Sequence, residues 1–144
     1  MKFNKKEISL CEQIAKKYRR NLKIGMYVWR KFCKSIQLIY RLDKEDKEIY
    51  TVILKEKKLN HLYWNNLKGG WLTPLWTISD CLEFLRKRDW LLDLKNSPTP
   101  KYGKYYCACF MPREHPKRKH GIYKYGNTTL ETLLEVILEN IQRK

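Results

Sequence analysis

The last seventeen residues constrain the fold more than any other stretch. Leu130, Leu133, Leu134, Ile137, Leu138 and Ile141 keep an i, i+3, i+4, i+7 spacing that places all six on one stripe of an α-helix. Thr128 and Glu131, after Gly126-Asn127, match a capping box, which marks where the helix starts. Burying six such side chains is worth about 9–18 kcal/mol before chain entropy is subtracted. A stripe of that size is not left in water; this helix must dock on a core.

Two further segments repeat at helical spacing. Asn4, with Glu7 three residues on, caps an expected helix whose stripe is Ile8, Cys11, Ile14, Ala15, Tyr18 and Leu22. Lys16, Lys17, Arg19, Arg20 and Lys23 crowd its expected last turns, where the macrodipole favours cations, and Gly25 closes it. Thr77 and Asp80 make a second capping box. Trp76 is poised to staple onto Cys81, and Ile78, Cys81, Leu82 and Leu85 form the expected apolar face, with Arg86, Lys87 and Arg88 in the last turn.

Elsewhere the apolar period drops to two. Phe32–Arg41 and Glu48–Leu54 read as a hairpin closed by the charged turn Leu42–Lys47. Lys104–Met111 and His120–Tyr125 read as a second pair joined by Pro112–Lys119. Short strands are expected at Met26–Trp29 and Trp90–Leu94, and loops at Lys55–Gly70 and Lys95–Gly103. No internal repeat interrupts the pattern. At 144 residues it predicts an α+β fold in one domain, 1–144: a small antiparallel β-sheet packed with about three α-helices.

The charge is unevenly laid along this chain. Residues 1–41 carry twelve Lys/Arg against two acids, and residues 101–125 carry seven against one. Residues 42–100 are nearly balanced, and 126–144 are slightly acidic. A basic excess gathered into blocks points to a polyanionic or acidic partner. The candidate contact residues are Lys16, Lys17, Arg19, Arg20, Arg30, Lys31 and Lys34 in the first block, and Lys117, Arg118 and Lys119 in the second. The competing account is a solvated surface plus helix-end cations. Interleaved aromatics favour nucleic acid: Tyr18, Tyr27, Trp29 and Phe32 in the first block, Tyr102, Tyr105, Tyr106, Tyr123 and Tyr125 in the second. Bases stack on such rings at about 1–3 kcal/mol each, although strand aromatics also build cores. The run Lys101–Phe110 is superficially like the aromatic strand of an RNA-recognition motif, but Tyr102 breaks the required basic-Gly step. Neither a KH-type GxxG loop nor a helix-turn-helix is present. Glu131, Glu135 and Glu139 form an acidic ridge that calls for cations from the same chain or from a second subunit, a possible homodimer.

Catalytic and metal chemistry find little support. Cys107-x-Cys109 with His115 and His120 supplies zinc-type ligands, but the cysteines alternate along an expected strand rather than flanking a turn. Asp43 or Asp46 with Glu56-x-Lys58 mimics a metal-dependent nuclease, a pattern that arises easily among thirty-one basic residues. His115 and His120 could form an acid/base pair. No Ser/His/Asp set and no Gly-rich phosphate loop is visible. A non-enzyme without cofactor or metal is therefore expected. Five cysteines fit reduced, buried thiols, no apolar run approaches the length of a membrane span, and Met1–Glu7 lacks an apolar leader. A cytoplasmic protein that avoids membranes is the consequence.

The element order carries a resemblance. An amphipathic N-terminal helix precedes Gly-x-x-Val-Trp (Gly25–Trp29) and Trp71-Leu-Thr-Pro before a short Leu-rich helix. A Trp90 strand, a Tyr-x-Cys strand and Gly126-Asn-Thr-Thr-Leu-Glu then follow. This arrangement resembles small uncharacterised proteins encoded by phages and prophages of Gram-positive-type bacteria. The resemblance implies an accessory role inside a bacterial host and transfers no catalytic residue. The expected function is a phage-type binder of nucleic acid or a ribonucleoprotein. A protein-binding inhibitor of a host factor or defence system is the alternative, and a metal-dependent nuclease the third reading.

Overall fold

The computed structural model describes residues 2–18, 20–31, 34–44, 49–54, 59–63, 72–117 and 120–143, the side chains of 40–63 apart. Its architecture is α+β with antiparallel pairing throughout the described strands. Where one sheet was expected, the strands divide into two, of five and three strands. The contacts likewise gather into two compact units, Cys11–Leu75 and Met1–Leu10 with Trp76–Lys144, and the division falls inside α1 (Lys5–Ala15).

The unit Cys11–Leu75 holds the larger sheet, in the order β4-β3-β2-β1-β5. Its strands are β1 (Tyr27–Arg30), β2 (Ser35–Lys44), β3 (Ile49–Leu54), β4 (Leu59–Tyr63) and β5 (Leu72–Pro74). The expected hairpin is β2–β3, with Lys44 opposite Tyr50 and an irregularity between Ile39 and Arg41. Pro74 lies in an edge strand, where its missing N–H costs no ladder bond. Strand β4 falls inside the expected loop Lys55–Gly70. Its Leu-Asn-His-Leu-Tyr has neither β-branched residues nor clean alternation, so it is held by pairing with β3 rather than by local preference.

Helix α1 ends at Ala15, ten residues before Gly25. Four cations within Lys16–Arg20 repel one another at helical spacing, and the chain leaves the helix before stacking them. Tyr18 and Leu22 therefore lie beyond the helix. Gly25, at φ +86°, opens β1 instead, its N–H donating to Ile39 O at 2.8 Å.

The other unit places α2 (Ile78–Lys87), a meander of β6 (Leu91–Asn96), β7 (Tyr105–Phe110) and β8 (Ile122–Gly126), and α3 (Thr129–Gln142) in chain order. Strand β6 extends into the expected loop Lys95–Gly103, whose remainder contains a 3-10 turn at Pro100–Tyr102. The α2 capping box forms as expected: Asp80 N–H donates to Thr77 Oγ1 and Thr77 N–H to Asp80 Oδ2. Its buried face, however, is Cys81, Phe84 and Leu85, while Ile78 and Leu82 are exposed. Phe84 displaces them because Trp76 meets it edge-to-face at 5.4 Å and Arg88 caps its other side at 3.6 Å.

Helix α3 packs on β8, β7 and α2. Thr132, Val136 and Asn140 are buried along with the predicted leucines, so the buried face is wider than a stripe, and Ile141 is its half-buried edge. Of the expected box at its start the structure shows the first half, Glu131 N–H donating to Thr128 Oγ1. The Thr128 hydroxyl gives its own proton to Glu7 Oε2 at 2.6 Å, while Glu7 Oε1 accepts the Asn4 N–H at 2.8 Å. One buried carboxylate thus ties the starts of α1 and α3 together. Lys6 meets Glu135 at 3.6 Å, and Lys124 and Arg143 meet Glu139 at 3.4 and 3.2 Å. Glu135 and Glu139 of the acidic ridge find these cations in their own unit.

Candidate nucleic-acid interface

A pleated sheet covered by helices on one side presents alternate residues to the other. In β7 the residues facing α3 are Cys107 and Cys109, both fully buried, with Ile122 beside them on β8. The intervening residues Tyr106, Ala108 and Phe110 share the opposite face with Tyr123 and Tyr125 of β8 and with Leu91, Asp93 and Lys95 of β6. Among the described residues no helix of this unit covers that face.

Four tyrosines form a chain of rings along it. Tyr102 lies 5.5 Å from Tyr125, Tyr125 4.9 Å from Tyr106, and Tyr106 6.4 Å from Tyr123 at an interplanar angle of 14°. The ends of this chain are open: Tyr102 is 63% exposed, Tyr123 60%, and Phe110 beyond it 44%. Lys95 Nζ stands 5.7 Å over the Tyr106 ring. Desolvation, with the neighbouring Tyr125 and Tyr123, raises the Tyr106 phenol above its ordinary value.

Two close approaches set the geometry. Gly103, at φ +146°, lies so near Gly126 that a Cβ would stand 2.8 Å from the Gly126 carbonyl oxygen, which brings the Tyr102 turn against the end of β8. Gly121 lets the Tyr123 ring fold over it; a Cβ there would come within 2.8 Å of the Tyr123 hydroxyl.

At the Phe110 end the face opens into a pocket of about 650 Å³ lined by Phe110, Pro112, Arg113, His120, Gly121 and Tyr123, among others. That volume is in the range of small-ligand sites, about 300–1,000 Å³. Its rim is fastened from two sides. Arg143 donates to the carbonyls of His120 and Gly121 at 2.7 and 3.3 Å. Lys117 N–H donates to His115 Nδ1, so the ring proton sits on Nε2 and donates to Asp89 Oδ2 at 2.9 Å. His115 thus has both ring nitrogens engaged and works as a loop fastener.

The predicted basic residues fall in separate places. Lys16 and Lys17 are exposed just past α1, and half-buried Arg20 donates to Leu75 O at 3.0 Å. Arg30 ends β1, and exposed Lys31 and Lys34 occupy the turn into β2, with Lys34 at φ +47°. Leu75 N–H bonds Tyr27 O, so Arg20 and the 30–34 turn stand at opposite ends of β1, about 10 Å of strand apart. Lys117 is exposed in the other unit, beside the pocket loop. Arg19, Arg118 and Lys119 lie outside the described residues, as do Asp46, Glu56 and Lys58 of the nuclease pattern.

Among the described residues no group of three or more His, Cys, Asp or Glu side chains could hold a metal ion. Burial first, then Asp93, pushes the Cys107 thiol up to about 11; burial first, then Cys107, pushes Cys109 up to about 12. Such thiols are poor ligands and poor nucleophiles. No described helix is long and apolar enough to cross a membrane. The tyrosines were visible in the sequence as aromatics within a basic block. What escaped was their common face, and with it Lys95 and Arg113. The signal was the alternation Tyr106, Ala108, Phe110 against Cys107, Cys109. No protein-family model, curated protein or solved structure matches the chain.

Proposed function

We propose that this chain is a non-enzymatic nucleic-acid-binding protein, an accessory protein of the phage or prophage kind acting inside a bacterial cell. The observation that carries the reading is the uncovered sheet face with its chain of tyrosine rings. Aromatic rings with cations nearby are what bases and phosphates require together. Cross-strand packing explains the Tyr106–Tyr125 pair, since those residues are direct neighbours in the ladder. It does not explain why Tyr102 and Tyr123 extend the row into solvent. The strongly basic balance of the whole chain, thirty-one Lys/Arg against fifteen acids, supplies the sequence-independent part of the attraction.

Fluorescence anisotropy with labelled 20-mer DNA and RNA at 50, 100 and 200 mM salt tests this. A saturable complex at 50 mM that weakens steadily with salt is expected. No complex with either at 50 mM overturns the reading and leaves an acidic protein surface as the partner. Incubation with the same oligonucleotides and Mg²⁺ or Mn²⁺ should leave them intact; cleavage lost in Glu56→Ala would establish a nuclease instead.

A further inference from the structure

Resting on the nucleic-acid reading above, we infer that the open face of the β6-β7-β8 sheet is a single-strand site. Unpaired bases lie along the rings of Tyr102, Tyr125, Tyr106 and Tyr123, and the strand ends with one unstacked nucleotide in the pocket at Phe110 and Arg113.

Three features select a single strand over a duplex. First, the ring faces are the recognition groups, and a duplex buries the base faces that would meet them. Second, the charge is arranged as a rim. Lys101 and Lys104 flank Tyr102 at one end, and Arg113 lines the pocket at the other. Across the middle, Lys95 is joined by Asp93 at 3.9 Å, leaving that part of the face close to neutral. A duplex laid on it would meet its phosphates with paired charges and tyrosines. A single strand turns its bases inward and its phosphates toward the rim. Third, the pocket is preformed. Arg143 fixes one side and the His115–Asp89 pair the approach, so an unstacked nucleotide enters a site already shaped between Phe110 and Tyr123.

The test uses the full chain and three probes of 20 nucleotides at 100 mM salt: single-stranded DNA, single-stranded RNA and blunt DNA duplex. Single strands should bind at least ten-fold tighter than duplex. Tyr102→Ala and Tyr123→Ala remove exposed side chains, and each should weaken single-strand binding about 5- to 150-fold. Both should leave duplex binding and the salt slope unchanged, and Tyr123→Phe should retain wild-type affinity. Arg113→Ala should reduce the single-strand salt slope by about 0.7, the loss of one phosphate contact. Equal affinity for single strand and duplex, with both alanine variants at wild type, overturns the single-strand site while leaving nucleic-acid binding intact. Absence of binding to all three probes, persisting when the salt is lowered to 50 mM, overturns both.

Discussion

Glu7 does more to organise its unit than its place on a helical surface pattern implies. Its two oxygens accept the Asn4 N–H and the Thr128 hydroxyl, and its N–H is taken by Asn4 Oδ1. Two helix starts share one carboxylate, where the partial positive charge of each macrodipole favours it. Hydrogen bonds to a charged group are worth about 1.5–3 kcal/mol, and removal of the acceptor leaves buried donors unpaired. Glu7→Ala should therefore cost about 2–4 kcal/mol in urea unfolding, and Glu7→Gln distinctly less; a loss below 0.5 kcal/mol for the alanine variant refutes the tie. The thiols of Cys107 and Cys109 allow a second test at this scale. Both are raised above their ordinary value of 9.0 in the folded state, so the unfolded chain gives up these protons first as pH rises. Stability should be unaffected by them below pH 9 and fall between about pH 9 and 12. At pH 8 neither should react with iodoacetamide until denaturant is added; labelling of the native protein at the rate of a free peptide thiol would contradict their burial.

At the scale of elements, the sequence was most legible where local chemistry and packing agree. The Thr77/Asp80 box, the α3 start and the β2–β3 hairpin all combine a turn or cap signal with a matching apolar period. Legibility failed where a distant partner decides. Strand β4 exists through its pairing with β3, and α1 stops before its basic run although Tyr18 and Leu22 keep the stripe going. The face of α2 was misread because periodicity alone makes Leu82 and Phe84 equivalent. Trp76 and Arg88 choose Phe84. The two residues separate these readings. Phe84→Ala removes a buried ring and should cost about 3–5 kcal/mol, whereas Leu82→Ala, 44% exposed, should fall within about 0.5 kcal/mol. Comparable losses at both positions would restore the face read from spacing. Leu134→Ala, on the fully buried side of α3, should cost about 2–5 kcal/mol. The tyrosine face was half legible for a related reason: strand alternation shows which residues share a side but not which side the helices cover.

For the whole molecule the open issue is how the basic charge divides its labour. The unit Cys11–Leu75 carries fifteen Lys/Arg against six acids, the other sixteen against nine. The tyrosines belong to the less basic of the two. Recognition by rings and attraction by charge should then be separable in one experiment. Each phosphate neutralised contributes about −0.7 to the slope of log affinity against log[salt] for a single strand and −0.9 for a duplex. Arg20 is unsuitable as a probe because its guanidinium also bonds Leu75 O, so its loss mixes folding with binding. Lys16, Lys17, Lys31 and Lys34 are exposed, and their joint replacement by Ala should fold normally. If these four meet phosphates, the single-strand slope becomes shallower by about 2 to 3, equally for DNA and RNA of any sequence. The effect should add to that of Tyr123→Ala in free energy, since a stacking loss and a counterion loss at distinct residues are independent. If the slope of the quadruple variant equals wild type, the first basic block is a solvated surface and binding is confined to the sheet face. A shallower slope with the tyrosine effect abolished would mean that the charges position the strand on the rings, and strict additivity would fail.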